Sequence, residues 1–293
     1  MNVEDGVTLA RYTTLGTGGP ARALIRPRSI RELEEALAFA ERADVPAAVV
    51  GLGSNLLIAD DGVDLVVLKL EGELADVEIA GNRVTAGGGA TNAVVLHRAR
   101  AAALGGFEFA SAIPGTVGGG VSMNAGAYGA DFAGVLERAL VVSAAGSEWL
   151  PPDELGLTYR RSGLREGQVV ARLELRLGSR PPDEIKAAVA ELHSRRKAAQ
   201  PTNKRTFGSV FKNPEHELTA GRMLEACGLK GHRIGGALIS PLHANFIENA
   251  ENARSSDAVG LMIEARRRAF VQFGVALEHE VRFLGLPELP PIS

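Results

Sequence analysis

The chain has one cysteine, Cys227, which excludes an intramolecular disulfide and any cysteine-built zinc or iron–sulfur centre. It has no apolar run near the ~20 residues needed to span a bilayer. Met1 to Tyr12 carries Glu4 and Asp5 and lacks an apolar stretch, so no secretory signal is expected. Neither sign of charge dominates. Lys plus Arg is 32 against 35 for Asp plus Glu, a formal net charge of −3, which gives no long-range pull toward nucleic acid or an anionic membrane. The six histidines show no ligand spacing and no His-Glu-x-x-His occurs, so no catalytic metal is expected. The expectation is a soluble, cytoplasmic protein with no nucleic-acid, membrane or obligatory protein partner.

Glycine is what the sequence holds in excess: 35 of 293 residues, about 12% against a typical ~7%. The length exceeds what one core usually organises, so two or three packed units are expected. Ser29 followed by Glu32 forms a capping-box pattern, with Ile30, Leu33, Leu37 and Ala40 recurring at helical spacing. Ala47–Val50 and Leu65–Leu68 read as buried strands, and Ala90–Leu104 as a helix. Ala171, Leu173, Leu175 and Leu177 alternate with charged residues, as in a half-buried strand. Pro182 opens a helix, and Ser255 or Ser256 caps another that stops at Gly274. Val275 to Phe283 alternates again and reads as a last strand. The count of elements suits an α+β fold better than a regular parallel α/β wheel.

The glycines concentrate in two places. Gly51-Leu52-Gly53-Ser54-Asn55-Leu56-Leu57 follows an apolar strand, and eight glycines fall within residues 105–129. Glycine lets successive backbone N–H groups turn toward an anion. Eight of them interleaved with Thr116, Ser122 and Asn124 suggest backbone packed around a large polar ligand. Leu56 stands where the dinucleotide fingerprint needs its third glycine, and the Walker pattern is absent. A nucleotide-like ligand is expected, on neither of those two frames.

Seven motifs occur in register between Thr14 and Gly285. They are Leu15-Gly16-Thr17-Gly18-Gly19-Pro20-Ala21, the Gly51–Leu57 loop, Ile113–Gly120 with Asn124-Ala125-Gly126-Ala127-Tyr128-Gly129, and Tyr159-Arg160-Arg161-Ser162. Gly208-Ser209-Val210-Phe211-Lys212-Asn213-Pro214, His243-Ala244-Asn245-Phe246 and Leu277-Glu278-His279-Glu280-Val281-Arg282-Phe283 complete the set. Together they resemble the UDP-N-acetylenolpyruvoylglucosamine reductase family, in its shorter branch. The resemblance implies a three-domain α+β, FAD-binding fold of the vanillyl-alcohol-oxidase/PCMH-like type with a C-terminal α+β substrate domain. Its implied boundaries are FAD-binding subdomains at 1–70 and 71–183, with a strand at 276–285 returning to the second, and a substrate domain at 184–275.

The same resemblance implies bound FAD, with NADPH as co-substrate and UDP-N-acetylglucosamine enolpyruvate as the molecule reduced. Gly51, Gly53, Ser54, Asn55, Leu56, Ile113, Pro114, Gly115, Thr116, Gly118, Gly119, Asn124, Gly126 and Ala127 would line the cofactor. Ser209 matches the proton donor, Arg160 the arginine on the substrate carboxylate, and Glu280 the catalytic glutamate. Periodicity alone leaves Glu278 and Glu280 equivalent, and a salt bridge from Glu280 to Arg282 is the structural alternative. Tyr159, Asn213 and Lys197 would contact substrate, although a lysine at a helix end also simply complements the helix dipole. Two rival readings remain at this stage: another FAD oxidoreductase of the same fold, and a non-catalytic flavin- or nucleotide-binding protein.

Overall fold

The local signals form the elements they specify. In the computed structural model, which describes residues 2–292, Ser29 caps the helix Ile30–Arg42 by accepting from the Glu32 amide at 3.1 Å. The Glu32 carboxylate reaches back to the Arg28 amide at 2.8 Å, one residue earlier than a standard capping box places it. Leu33, Ala36, Leu37 and Ala40 form its buried face. The chain divides into two compact units. One comprises residues 2–6, Arg22–Leu52 and Asp64–Arg195, the other Val7–Ala21, Gly53–Val63 and residues 196–292. Residues 7–21 and 53–63, which the expected 1–70 subdomain contains, thus group with the C-terminal residues.

The first unit holds a four-stranded sheet, ordered Val3–Asp5, Ala21–Ile25, Val63–Leu68, Ala47–Val49. It also holds a five-stranded sheet, ordered Gly146–Leu150, Leu136–Ser143, Val169–Arg176, Arg83–Gly87, Val77–Ala80. One core packs the helix Ile30–Arg42 against Val66, Leu68, Val142 and Ala171. A second gathers the helix Asn92–Ala101, the mutually edge-on rings of Phe107, Phe109 and Phe132, and Leu173 and Leu175. The strand Val169–Arg176 is not half-buried as its alternation suggests. Leu140 pairs with Arg172 and Val141 with Val170, so Ala171 is an extra residue and Val169, Val170 and Ala171 are all buried. Such a bulge switches which face the following side chains take. The charges on this strand do not simply face water: Glu174, 7% exposed, accepts from Arg138 through both oxygens.

The second unit is an antiparallel sheet, ordered Thr206–Ser209, Phe246–Asn249, Ala237–Ile239, Arg233–Ile234, covered by the helices Ala220–Ala226 and Ser255–Phe273. Gly274 ends the longer helix in the left-handed conformation, φ 69°. Its start differs from expectation. Ser255 and Ser256 lie inside the first turn, and their amides donate to Asp60 at 2.7 and 3.0 Å. The strand expected over 276–285 is only Arg282–Leu284, parallel to Leu56–Ile58 and not joined to the 71–183 segment. Upstream of it the backbone pairs elsewhere, Lys212 N donating to Glu278 O and Glu280 N to Val210 O. Among the described residues no helix is long and apolar enough to cross a membrane, and no three His, Cys, Asp or Glu are grouped to hold a metal.

Candidate active site

In the first unit, close packing inside the protein accounts for several of the glycines. A Cβ on Gly51 would lie 2.7 Å from Thr116 Oγ1, one on Gly118 2.7 Å from the Gly88 carbonyl, and one on Gly126 2.6 Å from the Ala130 carbonyl. On Gly120 it would strike the Phe132 ring at 2.3 Å. Close packing thus explains part of the glycine density, and the expectation of a ligand applies to the glycines that meet no such obstacle. Gly119 is different: it is exposed, and its nearest obstacle is Thr116 Oγ1 at 3.4 Å. Lys69, which the sequence reading overlooked, donates its ammonium to the Gly51 carbonyl, and burial pushes its pKa down.

A large polar cofactor needs bare backbone and unspent polar groups beside it. The exposed Gly119 supplies the first. Asn92 holds the segment Ile113–Gly115, its amide donating to Gly115 O at 3.0 Å and its Nδ2 to Ile113 O at 2.8 Å. Its Oδ1, like the Oγ of Ser111, is buried with no protein partner. Buried polar atoms are nearly always paired, so this segment fits a ligand or ordered water that completes them. Thr116 caps the short helix Val117–Ser122 through the Gly119 amide.

Tyr159 and Arg160 sit at the tip of a tight turn closed by Thr158 N to Arg161 O, 2.9 Å, and Arg161 N to Thr158 O, 3.2 Å. Arg160 takes φ 56°, a left-handed conformation costing a non-glycine residue roughly 1–2 kcal/mol. Its guanidinium lies over the Tyr159 ring at 4.9 Å and donates to Gly126 O at 2.6 Å. Tyr159 is 53% exposed. Asn124, expected to line the cofactor, is only 3% exposed and spends its carboxamide within the protein, on Thr158, Asp131 and Ala133. Ala127 pairs with Ala130 in the hairpin beside it.

In the second unit the backbone beside Ser209 pairs with that of Glu280. Gly208, left-handed at φ 83°, precedes Ser209, and the next residue accepts the Glu280 amide through Val210 O at 2.8 Å. Phe211 and His279 bridge alongside. Asn55, expected at the cofactor, donates its Nδ2 to the Glu280 carbonyl at 3.1 Å and accepts from Arg282 N at 3.0 Å. Gly53 belongs to this framework too, since a Cβ there would lie 2.0 Å from the Tyr12 carbonyl. Ser54 O lies 3.3 Å from where a Gly208 Cβ would be, and Leu56 opens the strand paired with Arg282. Glu278 and Glu280 are no longer equivalent. Glu278 is solvent-exposed and salt-bridged to Lys212 at 2.6 Å, whereas Glu280 is half-buried.

Asn245, quoted in a motif but given no role, anchors this strand. It is 4% exposed, its Oδ1 accepts from Phe211 N at 2.9 Å, and its Nδ2 donates to Phe211 O at 2.8 Å. His243 Nδ1 accepts the Asn245 amide at 3.2 Å, and burial lowers the imidazole pKa, so a neutral ring supports the anchor. Asn213 accepts from Ala220 N at 3.2 Å, leaving its Nδ2 for other use. Lys197 is exposed in the last turn of the helix Pro182–Ala199, where a cation favours the helix dipole.

Residues 200–284 match the family model described as UDP-N-acetylenolpyruvoylglucosamine reductase, C-terminal domain, and residues 21–148 match an FAD binding domain. The chain is 43% identical over 285 residues to the UDP-N-acetylenolpyruvoylglucosamine reductase of Anaeromyxobacter dehalogenans strain 2CP-C, covering 97% of this chain and 85% of that one. It is 41% identical over 281 residues to the enzyme of the same description from Rubrobacter xylanophilus, covering 95% and 94%. Among solved structures, the UDP-N-acetylenolpyruvylglucosamine reductase of Thermus caldophilus superimposes with a TM-score of 0.85 at 38% identity, covering 97% of this chain and 99% of that one.

Proposed function

The chain belongs to the UDP-N-acetylenolpyruvoylglucosamine reductase family, and from that premise we infer how its own residues divide the work. It is an FAD-dependent oxidoreductase that reduces UDP-N-acetylglucosamine enolpyruvate to UDP-N-acetylmuramate in peptidoglycan precursor synthesis. Bound FAD supplies the hydride chemistry. NADPH is our assignment for the source of reducing equivalents. We place the reaction in the cytoplasm because both reactants are phosphorylated nucleotides, which do not cross membranes unaided, and we assign it small-molecule partners alone.

A hydride arriving at the β-carbon of the enolpyruvyl group pushes charge onto the carboxylate and leaves the α-carbon needing a proton. Donors aimed at that carboxylate stabilise the transition state more than the ground state. We assign that role to the guanidinium of Arg160, whose planar fork matches a carboxylate. The Ser209 hydroxyl delivers the proton to the α-carbon, and the Glu280 carboxyl stabilises the enolate form that the proton quenches. Tyr159, Asn213 and Lys197 are assigned to binding the sugar nucleotide. The glycine segments, with exposed Gly119 among them, are assigned to the cofactor.

The observation that supports this reading is the hydrogen bond from Glu280 N to Val210 O, which runs the backbone of the serine motif alongside that of the glutamate motif. Anaerobic stopped-flow absorbance tests it. The holoenzyme should be yellow, bleach with NADPH and regain colour with UDP-N-acetylglucosamine enolpyruvate. Ser209→Ala should keep the bleaching rate within about two-fold and lose about 10²–10⁴ of the colour-regain rate, the usual worth of a positioned acid. Equal loss in both steps would make Ser209 structural. Rapid recolouring by dioxygen with no response to the sugar nucleotide would indicate an oxidase of the same fold.

A further inference from the structure

We propose that Asn124 is the positioning residue for Arg160, a strut that holds the arginine's turn rather than a group that touches the cofactor. The inference rests on the assignment of Arg160 to the substrate carboxylate. The carboxamide of Asn124 joins three segments. Its Nδ2 donates to the Thr158 carbonyl at 3.1 Å and to Asp131 Oδ2 at 3.3 Å, while its Oδ1 accepts from Ala133 N at 2.9 Å. Thr158 is the residue whose N–H and C=O close the Tyr159–Arg160 turn. Asn124 therefore grips the base of that turn from the side on which its own segment continues to Gly126.

Gly126 receives the other end. Arg160 Nη2 donates to the Gly126 carbonyl at 2.6 Å, and Nη1 occupies the space where a Cβ on residue 126 would meet it at 3.1 Å. The two residues that meet the turn, Asn124 and Gly126, are thus separated by Ala125 alone. Across the turn, Ser162 Oγ donates to Ser122 O at 2.7 Å, so the hairpin is tied on both flanks to the stretch 122–126. Arg160 and Asn124 are both left-handed, φ 56° and 38°. A strained arginine stays in that conformation only where its surroundings over-determine it. Asparagine tolerates the left-handed region and has a donor and an acceptor on one rigid plane, which suits it to this position. A carboxamide 3% exposed with both ends engaged has no atom left for a flavin or phosphate.

Two variants separate the possibilities. Asn124→Gly accepts the backbone conformation and removes every side-chain bond. Asn124→Asp keeps the acceptor for Ala133 N but loses the donor to Thr158 O and sets a second carboxyl against Asp131, so melting temperatures of both variants are read beside the kinetics to separate misfolding from misplacement. In both, flavin content and the rate of bleaching by NADPH should stay within about two-fold of wild type. The dissociation constant for UDP-N-acetylglucosamine enolpyruvate, measured calorimetrically, should rise about ten-fold, and the colour-regain rate should fall about ten- to a hundred-fold, since an ångström of misplacement carries that cost. Placed on Arg160→Ala, either substitution should add less than about two-fold, because residues acting through one another are not additive.

Flavin loss with slowed bleaching would overturn the proposal and make Asn124 a cofactor ligand. A lowered melting temperature with unchanged substrate affinity and colour regain would overturn it as well, leaving a purely structural residue. If Arg160→Ala itself left colour regain unchanged, the assignment of Arg160 would fail, and the proposal with it. That outcome is distinct from an impaired Arg160→Ala beside an unimpaired Asn124 variant, which would sink the proposal alone.

Discussion

Replacing Asn245 by alanine should cost about 2–6 kcal/mol, and the figure follows from two bonds. The carboxamide pairs with both the N–H and the C=O of Phe211, at 2.9 and 2.8 Å, in a position 4% exposed. Alanine leaves each backbone group buried, and an unsatisfied buried donor or acceptor costs about 1–3 kcal/mol. Set against a total stability of about 5–15 kcal/mol, that is a large fraction. The loss sits two residues from Ser209, so the strand carrying the proposed proton donor should loosen with it. Far-UV circular dichroism during urea unfolding, with saturating FAD in both samples, gives the total. The only tryptophan, Trp149, lies in the first unit and reports on that unit instead. Amide exchange across Thr206–Asn213 should accelerate about 30-fold or more, as each 1.4 kcal/mol is a factor of ten. Asn245→Asp, which keeps the acceptor for Phe211 N, should be less damaging to that amide than to the Phe211 carbonyl. A loss below about 1 kcal/mol with unchanged exchange would refute the role given to this side chain.

Gly119 and Gly120 should separate sharply. Gly120→Ala drives a Cβ to 2.3 Å from a Phe132 ring held edge-on by Phe107 and Phe109, and should lower stability by about 1–3 kcal/mol in thermal melts. Gly119→Ala meets no such obstacle and should leave the apoprotein as stable as wild type or up to about 1 kcal/mol more so, while weakening FAD retention on gel filtration. Normal FAD retention in Gly119→Ala would remove that residue from the cofactor assignment. Acid should destabilise the fold through named carboxylates. Hydrogen bonds from Arg83 and Arg176 hold Glu137 at about 2, and those from Arg267 and Arg268 hold Glu264 at about 2, against an ordinary 4.5. Asp60 is also lowered: burial opposes this, but the Ser256 and Ser255 amides, the Ser256 hydroxyl and Arg254 outweigh it. A depressed carboxylate stabilises the fold above its unfolded pKa and loses that contribution as pH falls through the folded value. Urea midpoints should therefore fall between about pH 4.5 and 2, less steeply in Glu137→Gln, and a flat profile would contradict the assignment.

What the sequence made legible follows the range over which each signal acts. Ser29, Glu32 and the apolar spacing after them define a helix within a few residues, and Gly274 ends another by its own backbone freedom. Asp60 caps the start of that second helix from 195 residues away, so serines at the same point attracted the assignment instead. The strand after Val169 failed differently. Its alternation is real, but one extra residue at Ala171 changes which face each side chain takes, and only the partner strand reveals it. Among the candidate residues, Ser209 and Glu280 are 71 positions apart, and nothing periodic connects them. Their segments run side by side because Val210 accepts the Glu280 amide, and Lys212 draws Glu278 into a separate ion pair. Motif membership could not distinguish a side chain that faces substrate from one that holds its neighbour. Asn55, Asn124 and Asn245 share this second use, each donating its side-chain amide to a backbone carbonyl. A carboxamide suits that task because it presents one donor edge and one acceptor edge in a plane, the pattern of a peptide group itself. An asparagine within a polar motif is therefore an ambiguous signal. It is resolved by asking whether both of its edges already face backbone.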